Sequence, residues 1–190
     1  MRLYHIGVSL REGMTLINNF NRIDTLVEPF LMALDKGDPE FEMMLIEARY
    51  LRAVMRKHRM REWSNYAKWS TEAVFEHVRK REFPDRHSRI GSIFYYDNLD
   101  SCRKLYKEDY VEPGDANENV GMFEIEVEDD APQRFDMHIY DDALEAIEES
   151  HNIRFARECA RRYFNGSHHQ NELVEIISDK QATVIRKLAL

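Results

Sequence analysis

Met122 to Glu128 reads as a strand in which apolar and acidic residues alternate from Phe123 onward. Phe123, Ile125 and Val127 fall on one side, and Glu124, Glu126 and Glu128 on the other. Period two is the side-chain period of a strand. The segment therefore predicts an antiparallel strand with one wet face. Such a strand needs neighbours and a second layer to cover its apolar side. Both ends of the chain offer them. Leu3 to Val8 reads as a strand, with Tyr4, Ile6 and Val8 on one face and Leu3, His5 and Gly7 on the other. Ile90 to Tyr96 reads as another, and Phe135 to Tyr140 as a weaker one. Glu172 to Ile177 and Ala182 to Leu188 close the chain, separated by the hairpin-length Ser178-Asp179-Lys180.

Helical sequence lies unevenly between these strands. A short helix is expected from Thr25 to Leu34, stopped by Asp35-Lys36-Gly37. Asp38-Pro39-Glu40 starts the next, with an Asp cap, Pro in the first turn and an acid behind it. Its stripe Phe41, Met44, Leu45, Ala48, Leu51, Met55 keeps helical spacing to about Met60. Further helices are expected from Thr71 to Arg81, from an Asp97 cap to Lys107, and from Asp141 to Phe164 with a break near His151. Pro113-Gly114 marks a turn within the loop 112–119. Strands placed early, midway and late, with the last two joined by a hairpin-length loop, define an α+β class and not a repeating βαβ pattern.

The 190 residues fit one domain able to bury a sizeable core without a staple. Two cysteines, Cys102 and Cys159, exclude a disulfide scaffold and a thiolate zinc site and suit a reducing cytoplasm, where the chain is expected to reside. No apolar run reaches the ~20 residues that span a membrane. No GxGxxG and no GK[ST] occurs, which argues against a Rossmann dehydrogenase or a P-loop NTPase. Charge is segregated. Residues 49–89 hold 12 Lys/Arg against 5 Asp/Glu; residues 108–149 hold 16 Asp/Glu against one Arg. The acidic stretch reads as a solvated flank or as a field repelling stray phosphate.

Several side chains stand out. His5 is either a polar residue on an edge strand or a fixed imidazole lining a cleft. Arg86 and Arg89, in the loop with Ser88 before Tyr95 and Tyr96, suit phosphate oxygens, since guanidinium binds them bidentately. The plain alternative is a solvated loop with the tyrosines in the core. Glu172 shares a face with Val174 and Ile176, so it sits at a wet strand end or has a role. His168, His169, His151, Glu158 and Cys159 match no zinc-ligand spacing, so no metal is expected. Arg52, Arg56, Lys57 and Arg59, followed by Trp63, Tyr66 and Trp69, suit a polyanion with stackable bases, or complement a helix C-terminus beside core tryptophans.

The order of these pieces resembles the ADP-ribosyltransferase fold, in particular small bacterial toxin-like members of toxin–antitoxin and phage-defence systems. The resemblance rests on a first strand with Tyr4-His5, a Ser88-Arg89 loop into a strand ending at Tyr95 and Tyr96, and a late strand opening Asn171-Glu172-Leu173-Val174. It implies a single domain over 1–190, built as a split antiparallel sheet with a helical insertion over about 24–82, which the family pattern does not explain. It implies NAD as substrate and transfer of its ADP-ribose to nucleic acid or protein, with an antitoxin protein as a possible partner. Carried over by position, His5 would bond a ribose hydroxyl and Tyr95, or Tyr96, would stack on nicotinamide. Glu172 would be the catalytic acid, and Arg89 with Ser88 would contact phosphate or ribose. Gln170 stands where relatives acting on arginine carry a second acid. The basic segment with Arg52, Arg56, Lys57 and Arg59 would be the platform for a nucleic-acid acceptor. The same fold with water as acceptor would be an NAD glycohydrolase. In another class altogether, the chain would be a non-catalytic RNA- or protein-binding module.

Overall fold

The structure, a computed structural model, describes residues 1–17, 20–57, 65–111, 119–169 and 173–189. The chain divides into two compact units. One comprises Met1–Asn18, Gly91–Phe135 and Leu173–Leu190; the other comprises Asn19–Ile90 and Asp136–Glu172.

The first unit holds two antiparallel sheets. Strand β1 (Arg2–Val8) pairs with β4 (Val120–Val127), which sets Leu3 opposite Ile125, His5 opposite Phe123 and Gly7 opposite Gly121. β4 also pairs with β7 (Ala182–Lys187), which pairs with the two-residue β2 (Thr15–Leu16), giving the order β1-β4-β7-β2. The second sheet runs β3 (Ile93–Tyr95), β6 (Val174–Ser178), β5 (Gln133–Asp136). The sheets meet where Tyr4 and Tyr96 exchange two backbone hydrogen bonds of 2.8 Å. Leu3, Tyr95, Phe123, Ile125, Ile176 and Val184 from the two sheets form one buried cluster. On the opposite face of β1, Tyr4 and Ile6 pack with Met122 and with Cys102 and Tyr106 of α4 (Leu99–Tyr106).

Two expectations change here. The acidic face of β4 is not uniformly wet. Glu124 is buried and takes hydrogen bonds from Arg186 (2.6 Å) and Arg2 (3.4 Å). Only a carboxylate with such partners can occupy a buried sheet position cheaply. The cap of α4 is Asn98, which accepts from the Asp100 and Ser101 amides, while the expected cap Asp97 is ion-paired to Arg134.

The second unit is helical: α1 (Phe20–Lys36), α2 (Asp38–Lys57), α3 (Tyr66–Glu82), α5 (Met137–Ser150) and α6 (Ile153–Phe164). Gly37, at φ 124°, turns α1 into α2; only glycine enters that conformation at little cost. The corner is tied down by Asp35 to Arg81 (3.1 Å) and by Asp38 to Arg157 (2.5 and 2.8 Å). α3 is buried on nearly every side, from Ser70 through Val78. Its polar members are satisfied. Ser70 and Thr71 donate to carbonyls of the preceding turn. Glu72 binds Arg89, and Glu76 binds Arg79 and Ser88. The weak strand expected over 135–140 ends at Asp136. That side chain accepts from the His138 amide and caps α5, so Met137–Tyr140 is the helix's first turn. The expected break near His151 is present, with His151 itself left-handed (φ 52°).

No helix among the described residues is long and apolar enough to cross a membrane.

Removing Arg89 leaves the Glu72 carboxylate buried and unpaired. Arg89→Met is expected to cost about 3–5 kcal/mol, and Arg103→Met, at an exposed pair with Asp100, under about 1 kcal/mol. Urea unfolding of the two variants beside the wild type measures the difference.

A candidate functional site where the two sheets join

β1 carries His5 on the face of Leu3 and Gly7, as the alternation predicts, and the β1–β3 junction brings β3 alongside it. The His5 Nδ1 lies 2.8 Å from the Phe94 carbonyl oxygen. A carbonyl only accepts, so Nδ1 carries the proton. Burial lowers the His5 pKa, against a smaller opposing pull from the Phe94 bond, so the ring is neutral at pH 7. Its Nε2 then holds an unshared electron pair. The tautomer is fixed by main chain, not by a mobile side chain.

Space for the ring comes from glycine. A Cβ on Gly7 would fall 3.1 Å from the His5 Nε2 and Cδ2 and 2.5 Å from the Leu10 Cδ1. Gly121 lies directly opposite Gly7; a Cβ there would meet the movable Lys187 Cε at 2.8 Å and the Phe123 ring at 3.3 Å. Across the junction the Tyr95 ring stands 5.8 Å from His5, tilted by 56°. Tyr95 is fully buried and its hydroxyl has no hydrogen-bond partner among the described residues. Burial and the charge of Asp129 push its pKa up, so it stays a phenol. A neutral imidazole with one available acceptor atom, set on a rigid strand, can hold a hydroxyl in a fixed direction or take its proton.

The other expected site residues divide sharply. Tyr95 is beside His5, but at 0% exposure its ring offers no open face for a nicotinamide in this conformation. Tyr96 is half-buried and packs with Tyr4 and Ile6 on the opposite face. Ser88 and Arg89, the expected phosphate contacts, are hydrogen-bonded within the helical unit. Arg89 is 6% exposed, donates to Glu72 (3.1 and 3.3 Å) and to the Tyr163 hydroxyl (2.7 Å), and lies 4.0 Å from the Tyr140 ring centre. Ser88 donates to Glu76 at 2.8 Å. A phosphate at Arg89 would have to displace a buried carboxylate. Glu172 and Arg59 lie outside the described residues; Arg52, Arg56 and Lys57 fall on the backbone of α2, with no side-chain placement.

Sequence reasoning missed a polar cluster in the helical unit. The fully buried Asp136 accepts from the His169 amide (2.6 Å) and Nδ1 (3.0 Å), while the His169 Nε2 stands 3.3 Å from Asp142. An Asp directly before the apolar run Met137, Ile139, Tyr140, Ala143 was the available signal: it reads as a helix cap. Glu175, on the face of β6 opposite Val174 and Ile176, is also buried. The two cysteines are buried and free, with burial pushing Cys102 to about 12 and Cys159 to about 11, so both are thiols at neutral pH.

A family described as "Protein of unknown function (DUF2441)" matches residues 18–189. No curated protein matches the chain. His5 precedes the matched span.

The His5 geometry has a direct spectroscopic check. Its ¹⁵N shifts should report a protonated Nδ1 and a bare Nε2 at pH 7, and its titration midpoint should fall below the ordinary 6.5. Because the unfolded chain takes up that proton first, this residue's share of stability is complete above pH 6.5 and declines as pH falls below it. A midpoint at or above 6.5 would contradict the buried, neutral ring.

Proposed function

The chain belongs to the DUF2441 family, and we propose that it is an NAD-dependent mono-ADP-ribosyltransferase acting on a nucleic-acid or protein acceptor. The observation that carries this reading is the His5 imidazole, pinned through Nδ1 to the Phe94 carbonyl at the junction of two antiparallel sheets, with Nε2 left as an acceptor. An acceptor fixed in that way suits a ribose hydroxyl. The resemblance in residue order adds Glu172 as the acid of the site and Tyr95 or Tyr96 as the aromatic partner; Tyr95 is the one beside His5, though its ring is sealed in the core, while Tyr96 packs on the opposite face of β1.

The chemistry asks little else of the protein. The bond between nicotinamide and the ribose anomeric carbon breaks, and its electron pair leaves with neutral nicotinamide. The ribose passes through an oxocarbenium-like state. The Glu172 carboxylate opposes that positive charge, an electrostatic contribution of a few kcal/mol when preorganised. The acceptor nucleophile then bonds to the same carbon and gives up its proton to a base. His5 holds the ribose in register, which matters because misorientation is costly to rate.

The binding-module alternative rests on Arg52, Arg56, Lys57 and Arg59; other bases of the same segment are engaged within the fold. Of the basic segment 49–89, Arg79, Arg81 and Arg89 are already bound to Glu76, Asp35 and Glu72. Their charge is neutralised within the fold, so the segment presents less positive surface than its sequence promises.

Incubation with NAD labelled in the adenosine half, with and without nucleic acid and bacterial lysate protein, tests the proposal. Label should pass to a macromolecule with the wild type. Glu172→Gln should lower transfer by about 10²–10³-fold, and His5→Ala by a smaller factor, both with unchanged circular dichroism. Transfer should hold steady from neutral pH down to 6.5 and fall only below it, as His5 gains a proton. Nicotinamide release without labelled product would place the chain among glycohydrolases; no turnover of NAD with any acceptor would overturn the reading.

A further inference from the structure

Helix α2 is apolar on two opposite sides. Phe41, Leu45 and Ala48 are buried against the rest of the helical unit. Met43 (55% exposed), Ile46 (55%) and Tyr50 (74%) form a second stripe facing solvent. Their spacing of three and four residues is that of a coiled-coil seam. Met32 of α1, 56% exposed, continues the stripe sideways. Between α1 and α2 lies a groove of about 310 Å³ lined by Pro29, Met32, Met43 and Met44 together with the charged Lys36, Glu40 and Glu47. An apolar stripe on a helix usually faces a partner, and contiguous apolar surface on a monomer marks a contact face.

The charge order of α2 identifies the occupant. Its first ten residues contain Asp38, Glu40, Glu42 and Glu47 and no base; its last ten contain Arg49, Arg52, Arg56 and Lys57 and no acid. The arrangement favours a single helix through its dipole, but the dipole gives no reason for an exposed apolar seam between the two halves. A second α2 laid antiparallel on that seam would place each acidic half against a basic half. A parallel arrangement would set like charge on like. Antiparallel contact of one surface with itself is a closed two-fold, the commonest symmetry of soluble oligomers.

We propose that this face is a self-association surface: two copies of the chain pair antiparallel through α2, with Met43, Ile46 and Tyr50 meeting across the two-fold. The inference is independent of the NAD reading.

Sedimentation equilibrium of the full chain, from low to several hundred micromolar, tests it. The wild-type mass should rise from 22.7 kDa toward twice that value with concentration. The double variant Ile46→Lys, Tyr50→Lys should stay at 22.7 kDa, with an unchanged circular dichroism spectrum because both positions are exposed. Arg49→Glu should weaken the dimer several-fold, and Glu42→Arg added to it should restore affinity. A wild type that remains monomeric throughout overturns the proposal and leaves the seam to a different protein. So does a seam variant that dimerises like the wild type. Dimers indifferent to both charge reversals overturn the antiparallel arrangement.

Discussion

Two backbone hydrogen bonds between Tyr4 and Tyr96 hold the sheet unit in its forked shape. Without them β1 would be an ordinary edge strand of a four-stranded sheet. With them, β1 is bonded along its length to β4 on one side and by a single bridge to the end of β3 on the other. The bridge places Phe94 where its carbonyl meets His5, and Tyr95 where its ring abuts the imidazole. It also decides which tyrosine is lost to the core. Tyr95 and Tyr96 are consecutive on an extended chain, so one must face the cluster of Leu3 and Phe123 and the other must turn toward Tyr4.

The helical unit depends on a different constraint. α3 runs through its middle with two carboxylates one turn apart, and neither reaches bulk water. Buried charge is tolerable only when paired and hydrogen-bonded. Glu72 and Glu76 meet that condition by gripping Arg89 and Ser88, two residues adjacent in sequence, with Arg79 completing the second clamp. The segment leading toward β3 is thereby fixed to α3. The aromatic faces of Tyr140 and Tyr163 around the Arg89 guanidinium do the rest, since a weakly hydrated cation packs well against rings.

Much of this architecture is legible in the residues. The mixed class, the Asp38-Pro39-Glu40 helix start, the strands around His5, Phe123 and Val184, and the break at His151 follow from local period and cap chemistry. What escapes is whatever depends on partners distant in the chain. Nothing near Glu124 announces that Arg186 will cover it, and the alternation around it reads as a wet face. Ser88 and Arg89 carry the residue types of a phosphate loop, and only the fold reveals that α3 supplies the anions. The two-residue β2 is too short for any periodic signal. At the candidate site, the side of His5 was readable from alternation. Its tautomer was not, because that is set by a carbonyl 89 residues away in the chain.

The placement of the two thiols has a practical meaning. Cys102 belongs to the sheet unit and Cys159 to the helical unit, and each is fully buried and un-ionised. Alkylation needs an accessible thiolate, so neither reacts until its surroundings open. The chain thus carries one built-in chemical clock in each unit. The rate at which a native sample loses each thiol measures the opening free energy of that unit alone, and any difference between them is a direct reading of how far the two halves unfold as one.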